Sequence, residues 1–170
     1  MINLETFLAG GDLRSIGKSN LVIAKIENQN DFDDLFRLLF HNDRIIVMRA
    51  ADAIEKITIS NSKYLAKYKK NIIDLCYVAK DKELKWHLAL LIPRLKLVNG
   101  EFDKGWNILL KWAKDSTDSR IVRVNSIEAL SQMAKHNNKY EKDLSLILSE
   151  LRKENIPSIN ARIRRIQRRI

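Results

Sequence analysis

Apolar and small residues recur in the chain with a helical spacing that returns every 37 to 38 residues. The repeating segments begin at Ile46, Leu84, Val122 and Ile159. If the first residue of each segment is offset 0, apolar or small residues occupy offsets 0, 4, 5, 7, 8 and 11, which form one face of an α-helix. The last segment departs from this pattern at Arg164 and Gln167. A unit of this length cannot bury its apolar face alone, so the pattern predicts stacked helical repeats.

Short polar connections divide the chain into four helix pairs after an N-terminal cap at residues 1–29. The paired helices are expected at residues 31–40 and 44–59, 63–80 and 83–98, 101–114 and 119–135, and 139–153 and 157–169. These pairs are assigned to repeats 30–60, 61–99, 100–136 and 137–170 of a single domain, 1–170. No segment alternates with period two over a useful length, so no β-sheet is predicted.

Turn residues agree with these boundaries. Asp43, Asp81 and Asp118 each precede the second helix of a pair, where a carboxylate can accept hydrogen bonds from free backbone N–H groups. Ser19 or Asn20 is expected to cap a short helix in the N-terminal cap. Pro157 suits a first helical turn, whereas Pro93 lies late in an apolar helix and is expected to kink it.

The segment Val122-Arg123, followed by Ala129-Leu130 and Met133, resembles the second helix of a HEAT repeat. Residues 49–57 carry the same resemblance, and residues 11–18, 48–53, 85–89 and 161–162 extend it to small prokaryotic HEAT-like proteins. The resemblance covers roughly residues 10–170. It implies an all-α fold, a right-handed α-solenoid of antiparallel helix pairs that is HEAT- or armadillo-like, with about four repeats plus the cap. Because one fold serves many functions, the resemblance is specific for the fold only.

The charge is concentrated near the end of the sequence. The chain has 31 lysine and arginine residues against 21 aspartate and glutamate residues, a formal net charge of +10. Residues 152–170 contain seven cations and only Glu154 as an anion. Such a basic surface attracts phosphates or acidic proteins, although it also suits the solvated face of an end repeat. No apolar run reaches membrane-spanning length, no signal peptide is evident, and Cys76 is the single cysteine, so a cytoplasmic protein is expected.

Few residues suggest catalysis. The loop Gly11–Ser19 ends in Gly17-Lys18-Ser19, but it has five residues between its glycines where a phosphate-binding loop needs four. It is better interpreted as an ordered cap in which Arg14 and Lys18 cover the first helix pair, or as a contact site. His41, His87 and His136 lie in different repeats, and Cys76 has no histidine near it in sequence. No catalytic residue, cofactor or metal site is therefore assigned.

Two polar rows run along the predicted second helices. Offset 3 holds Arg49, His87, Asn125 and Arg162, and offset 10 holds Lys56, Arg94, Gln132 and Arg169. Seven residues are close to two helical turns, so both rows lie on one face. Offset 6, which holds Asp52, Leu90, Glu128 and Arg165, partly neutralises them. The rows form either a basic concave strip or a network of ion pairs between repeats.

Tryptophans offer candidate binding anchors. Trp106 shares a stripe with Leu109 and Leu110 and is expected in the core, whereas Trp112 is rotated away from that stripe and is expected to be partly exposed. Trp86 lies at offset 2 of the second repeat. Buried aromatic residues dominate many protein interfaces, so Trp86 and Trp112 are candidate anchors.

The sequence therefore favours a non-enzymatic scaffold that presents a basic concave surface to a protein partner. The candidate contact residues are Arg49, Lys56, Trp86, His87, Arg94, Trp112, Arg162, Arg165 and Arg169. The alternative is a nucleic-acid-binding protein that uses the same face and the arginine-rich last helix, with steep salt dependence. DNA base excision is a remote third hypothesis, because no acidic residue is assignable beside exposed aromatic residues. No small-molecule substrate is expected.

Overall fold

The computed structural model describes residues 3–12, 15, 17–98, 100–135 and 139–169. These residues contain ten α-helices and no strand, which confirms the all-α prediction. The chain forms two compact units, Met1–Tyr68 and Lys69–Ile170. The first unit contains α1 (Leu4–Leu8), α2 (Ser19–Ile23), α3 (Gln29–Arg37) and α4 (Arg44–Ser60). The second contains α5 (Lys69–Val78), α6 (Lys82–Leu91), α7 (Gly100–Lys114), α8 (Arg120–Ala134), α9 (Lys139–Arg152) and α10 (Pro157–Gln167).

The predicted second helices correspond to α4, α6, α8 and α10. Their apolar offsets form the core: offset 7 holds Ala53, Leu91, Ala129 and Ile166, none more than 1% exposed. In the first unit, α4 packs against α1, α2 and α3. In the second unit, α8 packs against two other second helices, α6 and α10, and against two first helices, α7 and α9. The stacking that the periodicity predicts is therefore present within the second unit.

Three predicted helices differ from those observed. The helix expected at residues 31–40 is α3 followed by a 3₁₀ turn, Leu38–Phe40. Residues 63–80 form a 3₁₀ turn, Ser62–Tyr68, followed by α5, rather than one α-helix. The helix expected to continue to residue 98 ends at Leu91 and passes into a 3₁₀ turn, Ile92–Arg94. Pro93 lacks the N–H that would continue the hydrogen-bond ladder, and its ring crowds the preceding turn. Pro93 consequently ends α6 instead of kinking a longer helix.

The helix caps agree in part with the sequence. Asp43 caps α4 by accepting a hydrogen bond from the Ile45 N–H at 2.8 Å, and Pro157 occupies the first turn of α10. The cap of α8 is Ser119, whose hydroxyl accepts from the Val122 N–H, rather than Asp118. Ser19 is not a cap either, since it lies inside the first turn of α2 and donates its hydroxyl to Asp52 at 2.8 Å.

Arg49 is buried, with 2% of its surface exposed, so the expectation of a surface contact at this position is wrong. Its guanidinium donates hydrogen bonds to the carbonyl oxygens of five residues, the last residue of α1 and four residues of the loop that follows it. These residues are Leu8, Ala9, Gly10, Asp12 and Ser15, at 2.6 to 3.3 Å. Arg49 thus binds the N-terminal loop to α4. Although it occupies offset 3 of the polar row, its side chain contacts that loop and not solvent.

Gly17 permits this close approach. It has a positive φ of 55°, and a Cβ atom added there would lie 2.8 Å from the Arg49 guanidinium. Any side chain at this position would therefore strain the backbone and displace the cation.

We predict that Arg49→Met destabilises the first unit by at least about 2 kcal/mol, because five carbonyl groups, that of buried Leu8 among them, lose a charged donor. The matched control is Arg37→Met, since Arg37 lies on α3 with a largely exposed side chain that pairs with half-buried Asp34. The control should change the free energy of unfolding by less than about 0.5 kcal/mol. Chemical denaturation followed by circular dichroism measures both values. Equal stabilities for the two variants would show that Arg49 does not hold the loop.

Candidate binding surface of the second unit

A groove of about 500 Å³ separates the N-terminal ends of α8 and α10. We call it the α8–α10 groove. Its lining comes from Arg120, Ile121, Val124 and Asn125 of α8 and from Pro157, Ser158 and Arg162 of α10. The groove is built by consecutive second helices, because α8 and α10 pack directly against each other.

Ile121 gives the groove an apolar wall. This side chain is 45% exposed, because it lies one residue before offset 0 and outside the apolar face that packs into the core. Val124, one turn later, is half-buried on the same side of α8. An aliphatic pair that remains accessible in a groove is a candidate contact for an apolar side chain of a partner.

The groove is also electropositive. Arg120 is exposed and forms no ion pair with any residue that the structure describes. The N-terminal end of α10 adds partial positive charge, because its cap residue, Ile156, supplies no side-chain acceptor for the N–H groups of the first turn. An aliphatic wall beside uncompensated positive charge suits a ligand that combines an apolar group with a carboxylate.

Glu128 connects α8 to two arginines of α10. Its carboxylate accepts hydrogen bonds from Arg162 at 2.8 Å, from Arg169 at 2.9 Å and from Gln132 at 3.2 Å. Burial alone would raise the pKa of the Glu128 carboxyl. The hydrogen bonds from Arg162 and Gln132 and the charges of Arg162 and Arg169 outweigh it and lower that pKa below its ordinary value.

Ion pairing therefore occupies several of the predicted contact residues. Arg162 and Arg169 pair with Glu128, and in the first unit Lys56 pairs with Asp52 at 2.8 Å. In each case the acceptor is the acid at offset 6. Of the two interpretations of the polar rows, Arg162 and Arg169 follow the network of ion pairs between repeats, whereas Lys56 pairs with an acid of its own helix. Arg165 differs, because it is exposed and makes no ion pair within the described part of the chain.

The remaining candidates in the second unit have mixed exposure. Trp86 and Arg94 are half-buried, and His87 is buried with its ring centroid 5.4 Å from that of Trp86. Trp112 is only 5% exposed, so the expected partial exposure is wrong. Lys85 of α6 lies over the Trp112 ring at 5.9 Å from its centroid, and α8 packs along the same helix. The side of α7 that carries Trp112 is thus covered as well, and Trp112 belongs to the core.

The cap-loop candidates lie in the first unit. Lys18 is exposed, with its ammonium 5.9 Å from the centroid of the Phe7 ring. Arg14 lies outside the described residues. The cap interpretation gains support from Arg49, which binds the loop, while a partner contact by Lys18 stays a prediction.

Groups that could carry catalysis are dispersed in the part of the chain that the structure describes. No three His, Cys, Asp or Glu side chains converge there to hold a metal ion. Cys76 is buried, and burial raises the pKa of its thiol, which disfavours the reactive thiolate. His136 lies outside the described residues. None of the described helices is long and apolar enough to cross a membrane.

Sequence reasoning missed the groove because its main residues precede the repeated pattern. Arg120 and Ile121 lie two and one residues before offset 0. One signal was available: Ile121 is a large aliphatic residue outside the apolar offsets, so it cannot share their buried face.

Comparison with protein-family models matches residues 11–170 to a HEAT repeat domain. No curated protein matches the chain. No solved structure matches it either.

We predict that Glu128→Gln destabilises the second unit at neutral pH, because Arg162 and Arg169 lose their shared anion. The pKa of Glu128 is lowered in the folded protein, so its contribution is complete above the unfolded-state pKa and disappears as pH falls through the folded-state pKa. The stability difference between wild type and variant should therefore be largest near pH 7 and vanish in strongly acidic solution. Urea unfolding across this range measures it. A difference that is independent of pH would exclude this ionic role.

Proposed function

The chain belongs to the HEAT-repeat family, and from this premise we propose that it is a binding module that holds a protein partner in the α8–α10 groove. HEAT repeats commonly mediate protein–protein interactions, and the family is typically non-enzymatic. The observation that carries the proposal is the exposed aliphatic wall of Ile121 beside Arg120, a cation with no ion-pair partner among the described residues.

The shape of the groove suits an extended segment of a partner. Its wall is formed by successive residues along α8 and its other side by the start of α10. An aliphatic side chain would contact Ile121 and Val124, while a neighbouring carboxylate would approach Arg120 and the helix N-termini. Contacts of this kind, an apolar anchor with a polar rim, provide most of the affinity of protein interfaces.

Charge pairing favours a protein over a nucleic acid in this groove. Affinity for nucleic acid depends on many cations that neutralise phosphates. Arg162, which lines the groove, is already neutralised by Glu128, and Arg120 is the remaining arginine of the lining. An exposed isoleucine contributes nothing to phosphate binding, whereas it contributes directly to an apolar protein contact.

We predict that Ile121→Asp lowers recovery of the protein partner by about tenfold or more, the effect of losing one anchor residue. The tagged full chain is purified from its native cells with and without nuclease, and the accompanying proteins are quantified by mass spectrometry. An aspartate in the first turn of α8 is compatible with the helix, so the variant should fold.

The matched control is Leu146→Asp, which places the same charge on α9 at an aliphatic residue that is 71% exposed. It should retain the partner that wild type retains. Companions that depend entirely on nucleic acid would argue for the nucleic-acid alternative. Equal recovery with Ile121→Asp and wild type would remove the groove from the proposal.

A further inference from the structure

One side of α10 carries three exposed arginines, Arg164, Arg165 and Arg168. We call this surface the arginine face of α10. None of the three forms an ion pair with a residue that the structure describes. Arg168 follows Arg164 by four residues and Arg165 by three, so it links both to one side of the helix, together with the exposed small residue Ala161.

The corresponding positions of α8 are buried. Offsets 5, 6 and 9 hold Ile127, Glu128 and Ser131 in α8, which are 0%, 9% and 5% exposed. On α8 this side packs against the helices that follow it, α9 and α10. The arginine face of α10 therefore corresponds to the side of α8 that is packed against other helices. On α10 this side is exposed and carries three positive charges.

The contact between α8 and α10 shows how opposite charges are arranged between two stacked helices. A single charge at offset 6 of one helix, Glu128, lies between two opposite charges seven residues apart on the next, Arg162 and Arg169. Seven residues are two helical turns, about 10 Å along the axis. At offset 6, α10 itself carries Arg165, so the charge is reversed while the geometry of the helix is the same.

We propose that the arginine face of α10 docks an α-helix of a protein partner that carries carboxylates seven residues apart. The two carboxylates flank Arg165 as Arg162 and Arg169 flank Glu128. Arg164 and Arg168 lie one turn apart beside it and add charge of the same sign. This surface lies outside the α8–α10 groove, so the inference goes beyond the proposed function and does not require it.

A helix fits this face better than a nucleic-acid backbone does. The small side chain of Ala161 allows a second helix to approach closely, and the aliphatic stems of the arginines cover apolar surface while their charged groups reach outward. Three cations in one patch, without an acidic partner in the described part of the chain, leave positive potential that an acidic ligand neutralises. The packing of α6, α8 and α10 also shows that these helices stack side by side.

The test uses a fluorescein-labelled, cross-linked helical peptide rich in alanine with two glutamates seven residues apart. A second peptide of the same composition has the glutamates five residues apart, which places them on different sides of the helix. Anisotropy titration with the full chain should give at least about tenfold tighter binding of the first peptide. Equal affinities would overturn the proposal, because charge alone would then explain binding.

The decisive variant is Arg165→Glu, which gives α10 the same charge as α8 at offset 6. It should weaken binding of the glutamate peptide by about tenfold or more and should bind a peptide with lysines seven residues apart, which wild type rejects. The control is Arg152→Glu, which makes the same change of net charge at an exposed residue of α9. It should leave both affinities within about twofold.

Two further results would contradict the docking proposal, and one variant separates it from the groove proposal. An equal loss of affinity in Arg152→Glu and Arg165→Glu would overturn the proposal, as would tighter binding of a short DNA duplex with steep salt dependence. Ile121→Asp should leave peptide binding unchanged, since Ile121 belongs to the groove and not to the arginine face. Failure of one proposal therefore leaves the other intact.

Discussion

The arrangement of the second unit depends on one buried cation, Arg123. It is 1% exposed and donates to the Ala113 carbonyl oxygen of α7 at 2.9 Å and to both carboxylate oxygens of Glu154 at 2.7 Å. Burying this charge is costly, so the pair adds less net stability than apolar packing would, yet removal of one partner would strand a buried charge. Glu154 lies three residues before Pro157, and Arg123 thereby fixes where α10 begins relative to α8. The width of the α8–α10 groove follows from that constraint.

A second pair repeats the arrangement one repeat earlier. Lys85, at offset 1 of α6, binds Asp118 in the turn before α8 at 2.6 Å, as Arg123 at offset 1 of α8 binds Glu154 before α10. Each pair joins a second helix to the turn of the following repeat. Apolar side chains at the stacked offsets provide the burial, but such contacts tolerate small sliding. Directional ion pairs at the turns restrict that sliding and set the register of consecutive helices.

The sequence predicted the buried face of the repeats because burial at offsets 0, 4 and 7 depends only on periodicity. It failed where exposure depends on which neighbour covers a side chain. Arg49 occupies a polar row, yet the loop before α2 folds over it, and the glycines that allow this approach lie more than 30 residues earlier. The stripe of α7 alone predicts an exposed Trp112, because it does not reveal that Lys85 of another repeat covers the ring. The sequence does not predict the pairing of Glu128, because that pairing depends on the distance between α8 and α10.

Helix phase separates structural arginines from available ones in α10. Arg162 and Arg169 are two turns apart and both pair with Glu128. Arg164 and Arg168 are rotated by about 120° or more from Arg162 about the helix axis, and Arg165 lies between the two groups and is exposed. Total charge cannot reveal this division, since all these residues contribute equally to the formal net charge of +10. Arg162 and Arg169 already donate hydrogen bonds to Glu128, so these bonds would have to break before either residue could bind a partner. No such bond to a described residue has to break at the arginine face, so a carboxylate of a ligand would form its hydrogen bonds there without that loss.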